Sequence, residues 1–137
     1  MAAQWLIEGL REAMDALFLD NATPEDKEIF LFSNDETIVD ATVDTDLTEI
    51  TTNGGEKQDL TKATWDAATD ADPVVSRYNS TTGVSWSITG ALNVYGWAIR
   101  GKTSGKLYCA ENWGLKVVGN TDTVTIQPLD IKADIPE

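Results

Sequence analysis

Two runs of alternating apolar residues, Val94 to Arg100 and Lys106 to Glu111, flank the turn-forming tetrad Lys102-Thr103-Ser104-Gly105. Alternation places successive side chains on opposite faces of a strand. A short turn between two such runs is a hairpin signature. This feature constrains the fold most, because it commits the last third of the chain to antiparallel sheet.

Other segments read the same way. Glu28-Ile29-Phe30-Leu31-Phe32 is a short, continuously apolar run bounded by Asp26-Lys27 and Ser33-Asn34-Asp35, the pattern of a buried strand. Lys57 to Trp65 alternates, with Leu60 and Trp65 as anchors. Val74 to Tyr78 and Val84 to Ile88 enclose a turn at 79–83. The last run, Thr123 to Ile131, contains Pro128, which lacks an N–H and predicts an edge strand or a bulge. Between 35 and 56 the chain is rich in Asp, Glu and Thr. There Ile38, Val39 and Val43 form a weak strand or pack a long loop onto the core, and Gly54-Gly55 marks a turn.

The N-terminal stretch has a different period. Trp5, Leu6, Leu10, Ala13, Met14, Leu17 and Phe18 recur at helical spacing, with Glu8, Arg11, Glu12 and Asp15 elsewhere. Gly9 weakens this helix, and Asp20-Asn21 and Pro24 end it. The expected fold is therefore mainly β: an N-terminal amphipathic helix over 1–20, then a roughly seven-stranded antiparallel β-sandwich or small barrel over 28–133. A chain of 137 residues suits a single domain, 1–137, with a core that needs no disulfide or metal.

Charge narrows the function. The net charge is −13, and residues 1–72 hold 18 acidic and 4 basic side chains against 5 and 6 in residues 73–137. Binding to nucleic-acid phosphates or to anionic membranes needs a basic footprint, so neither is expected as a partner. No run is long enough to span a bilayer as a helix. The acidic residues between 8 and 15 break any signal-peptide pattern.

Catalytic chemistry finds little support. Without histidine a conventional serine triad has no base, and no Gly-rich turn leads into a phosphate-binding helix. The single cysteine, Cys109, excludes an internal disulfide and sits in an alternating run as a small hydrophobe. Asp40, Asp44, Asp46 and Glu49 offer oxygen ligands. They lack the glycine of a helix–loop–helix calcium site, so a solvated acidic loop is expected, with no metal or other cofactor. Trp86, Trp97 and Trp113 fall in the proposed sheet and are expected to fill the core, and Trp65 is a further anchor. A sugar-stacking platform made of Trp65, Trp86 and Trp97 is the functional alternative.

The order of motifs carries a resemblance. Ile29-Phe30-Leu31-Phe32-Ser33-Asn34, Val84 to Gly90, Val94-Tyr95-Gly96-Trp97-Ala98-Ile99, Leu107-Tyr108-Cys109-Ala110-Glu111 and Val118 to Pro128 follow an amphipathic helix. This series resembles small structural proteins of tailed bacteriophages over nearly the whole chain. It departs from them in Trp97 after the hairpin glycine and in Tyr108-Cys109 before Ala110-Glu111. The resemblance implies a non-enzymatic virion component, assembled in the host cytoplasm. Decoration or cementing of the capsid exterior is the leading expectation. A tail, fibre or adaptor component that contacts host glycans is the alternative. The implied partners are other virion proteins, the major capsid protein and copies of the same chain. Trp5, Leu6 and Leu10 on the helix, and Gln127, Leu129 and Ile131 in the C-terminal segment, are the expected contact residues. Glu111 is expected to pair with Arg100 or Lys102 across the hairpin.

Overall fold

The computed structural model describes residues 26–39, 41–60, 65–70, 73–78, 83–127 and 129–133. The helix expected over 1–20 lies outside them. Among the described residues the structure is mainly β. Its strands are β1 (Lys27–Phe32), β2 (Gln58–Leu60), β3 (Val74–Tyr78), β4 (Val84–Ser87), β5 (Leu92–Gly101), β6 (Leu107–Val118), β7 (Thr123–Ile126) and β8 (Leu129–Ala133). They form a four-stranded sheet in the order β2-β1-β5-β6 and two ladders, β3-β8 and β4-β7.

The chain divides into two compact units. One contains residues 25–60 and 85–125; the other contains 1–24, 61–84 and 126–137. The four-stranded sheet belongs to the first. Its central strand, β1, is buried along its whole length. Apolar side chains on both faces explain this, and they account for the unbroken apolar run. Burial extends to Lys27 and Glu28, at 4 and 2 % exposure. The ammonium of Lys27 lies 5.0 Å from the centre of the Tyr108 ring, a cation–π contact.

The predicted hairpin is present. β5 and β6 run antiparallel, with Ile99 opposite Cys109 and Trp97 opposite Glu111. The Gly105 N–H donates to the Gly101 carbonyl at 3.0 Å, and Gly105 takes φ +71°, a left-handed conformation that suits glycine. β6 runs on to Val118, well past the expected Glu111. The ladder is irregular there, since Val94 faces Lys116 while Gly96 faces Asn112. The extra residues on β6 form a bulge around Gly114, at φ +84°.

The run around Pro128 divides in two. β7 pairs with β4, and β8 pairs with β3, with Ser76 opposite Ile131 and Arg77 opposite Asp130. The expected strand from Lys57 to Trp65 is represented by β2 and by an isolated bridge from Trp65 to Tyr78. Residues 35–56 are mostly loop, with one 3-10 turn at Asp44–Asp46. Inside this loop, Asn53 and Gly54 take φ 57° and 82°, and the Gly55 N–H donates to Thr52 O at 3.0 Å. Positive φ at both central residues is the requirement of a type I′ turn, which Asn-Gly meets best. The turn is therefore centred one residue earlier than Gly54-Gly55.

Candidate interaction surface

Opposed residues in an antiparallel pair point to the same face. The register therefore puts Glu28 with Arg100, Phe30 with Ala98 and Phe32 with Gly96 on one face of the sheet. The loop from 34 to 49 covers that face. Leu47 joins Phe30, Phe32 and Ala98 in a buried cluster, and Ile38 packs against it.

Arg100 ties the loop down. Its guanidinium donates to Glu28 at 2.8 Å, Asp44 at 3.1 Å and Glu49 at 2.6 Å, and stacks 4.5 Å over the Phe30 ring. Burial works against the charge on Arg100, but the hydrogen bonds to Glu28, Asp44 and Glu49 outweigh it and raise its pKa above the ordinary range. Lys57 adds a second cation on Glu28 at 3.3 Å. The acidic loop is thus partly neutralised, not simply solvated. Asp46 turns back to accept the Val43 N–H at 2.9 Å, half of a capping box. Among the described residues no group of three or more acidic, histidine or cysteine side chains is placed to hold a metal ion.

The sequence offered Arg100 only as a partner for Glu111, and its hold on the loop through Glu28, Asp44 and Glu49 was not legible there. Its pairing with Glu28 spans 72 positions and follows from strand register alone. The expected pairing of Glu111 with Arg100 or Lys102 is not formed. Arg100 points to the loop, and Lys102 bonds Asp59 at 3.0 Å. Glu111 is exposed, opposite Trp97.

Trp65, Trp86 and Trp97 fill the core, at 3, 2 and 6 % exposure, whereas Trp113, also expected there, is only half-buried because it lies on the edge strand β6. A sugar stacks only on a free ring face, so the three buried rings do not make the alternative platform. Trp65 meets Tyr78 edge-to-face at 5.2 Å, and the Trp86 indole N–H donates to the Glu56 carbonyl at 2.8 Å. Leu129 is fully buried in its unit, which removes it as an outward contact. Gln127 is exposed and Ile131 half-buried. Trp5, Leu6 and Leu10 lie outside the described residues. Burial pushes the Cys109 thiol up to about 12, so it is protonated and unreactive at neutral pH.

Among the described residues β6 ends the sheet, and none of its residues is fully buried. Leu115 and Val117 on β6 are 52 and 73 % exposed, and Val39 and Val43 on the loop are 57 and 52 % exposed. An open strand with exposed apolar side chains is a ready interaction surface. Among the described residues no helix is long and apolar enough to cross a membrane. Compared with family models, curated proteins and solved structures, the chain matches none.

Proposed function

We propose that this chain is a non-enzymatic structural protein of a tailed-bacteriophage virion, decorating or cementing the capsid exterior. The observation that carries the reading is the edge strand β6, within the hairpin whose motifs bear the phage resemblance. It offers twelve residues of backbone edge with exposed Leu115 and Val117. A lattice component must stay soluble until it meets its partner and then bury such a surface. The charge of −13 keeps the free protein in solution and suits an outer position better than a DNA-lined lumen. The expected architecture remains a β-sandwich or small barrel, and the expected partners are the major capsid protein and further copies of the chain.

The test adds purified protein to phage heads that lack it and images them by cryo-electron microscopy. Density repeating over the capsid lattice is the expected outcome. Density at the neck or tail alone would move the protein to the adaptor or fibre class. No binding to any part of the particle would overturn the virion reading.

A further inference from the structure

Among the described residues four large apolar side chains are exposed, and they form two sites of opposite character. Val39 and Val43 belong to the loop that Arg100 holds down. Leu115 and Val117 lie near the end of β6. Grouped apolar exposure rimmed by polar residues marks an interaction site, where scattered exposure does not.

The loop site is a socket. Beside Val39 a hollow of about 400 Å³ opens between Ile38 and Thr42 on the loop and Leu107 and Tyr108 on β6. Its surroundings are acidic, since residues 34–49 hold six acidic side chains and no basic one. Arg100 engages Asp44 and Glu49. Asp35 and Asp46 are exposed, and Asp46 accepts the Val43 N–H at 2.9 Å, which sets a carboxylate beside an exposed valine.

The strand site is a knob. Past the bulge at Gly114, β6 pairs with β5 again, Lys116 with Val94 and Val117 with Asn93. That register turns Val117 and Asn93 to one face, and both are exposed. A Cβ added at Gly114 or Gly119 would meet no described atom within 4 Å, so this strand end stands clear. Lys116 is exposed too, its ammonium 4.4 Å from the centre of the Trp113 ring. In a chain of net charge −13, no acidic residue occurs from Asn112 to Thr121.

The two sites complement each other: both offer a pair of apolar side chains, one among carboxylates and the other around an ammonium. They do not meet within one molecule. Leu107 at the socket and Leu115 on the knob are eight positions apart on one strand, on the order of 20 Å even with the bulge. The surface that matches the socket in both apolar character and charge therefore comes from a second copy. We infer that the Leu115–Val117 end of β6 in one copy seats in the hollow beside Val39 of the next, with Lys116 toward the acidic loop. A knob that fits a pocket elsewhere on the same molecule makes a contact that passes from copy to copy until a ring or a reciprocal pair closes it. The net charge keeps the contact weak in dilute solution, so it forms where copies are concentrated. The inference goes beyond the virion reading and needs no phage particle, so the two stand or fall separately.

Sedimentation equilibrium of the full chain at neutral pH, up to about 1 mM, reads the contact. The unaltered chain is expected to exceed its monomer mass of 14.9 kDa as concentration rises. Val117→Asp spoils the knob and Val39→Asp the socket, each at an exposed site, so thermal unfolding is expected to stay unchanged. Either variant alone is expected to associate about tenfold more weakly. Mixed one to one, they are expected to pair at nearly the unaltered affinity, because one keeps the knob and the other the socket. Lys116→Glu is expected to weaken association about fivefold and Lys116→Arg to preserve it. A mixture as weak as its components would overturn the proposal. So would full-strength association of Val117→Asp alone, or a monomer at every concentration of the unaltered chain.

Discussion

Trp97 shows what one side chain does in this fold. It stands between Leu31 on β1 and Glu111 on β6, almost wholly buried. Trp97→Ala is expected to cost about 3–5 kcal/mol, measured by urea unfolding. A near-neutral result would put the ring at the surface and revive the platform. Cys109 gives a pH prediction. Its thiol titrates near 9.0 when unfolded and near 12 in the fold. Between those values the native state holds a proton that the unfolded state has released, so stability falls as pH rises through this window. Cys109→Ala should flatten that part of the curve relative to the unaltered chain. An unchanged slope, read by unfolding at several pH values, would show that the thiol is solvated.

Strands and loops are joined here by close approach and by charge. Gly96 lies where β5 meets both neighbours, and an added Cβ would run into the Glu111 carbonyl oxygen and the Phe32 ring. Gly96→Ala should therefore loosen the β5–β6 ladder and cost about 1–3 kcal/mol. Amide exchange along β6 would rise with it. Arg100 joins the loop to the sheet, and Arg100→Met leaves the carboxylate of Glu28 inside with only Lys57 as a cationic partner. A loss of about 3–5 kcal/mol is expected. Faster exchange of the Ser33 and Ile50 amides, which bond Thr48 and Leu31, would show that the loop has lifted. The alternation predicted β5 and the start of β6 because burial on one face is written at period two. The residue pattern did not reveal how far β6 continues, because the bulge at Gly114 breaks that period and the residues beyond it are exposed.

For the molecule as a whole, charge is the main variable. The excess of acid keeps copies apart at neutral pH, and this repulsion disappears near pH 4.1. Turbidity of a concentrated solution should peak near that pH and decline on either side. A clear solution throughout would show that the exposed apolar residues of β6 do not associate even without charge repulsion. The two units are built from interleaved segments, so strands distant in sequence share a ladder, as β3 and β8 do.

By itself the sequence determined the strand content, the hairpin turn and the apolar filling by Trp65, Trp86 and Trp97, because local periodicity and turn chemistry encode them. Pro128 predicted an edge or a bulge within one strand over 123–131, and the structure has two strands there, β7 and β8. Tertiary structure alone decided that those two strands pair with different partners and that Arg100 gathers three carboxylates. It alone folded the 34–49 loop over one face of the sheet. Each of these depends on which residues come together across dozens of positions, and that proximity is set by sheet register and chain path.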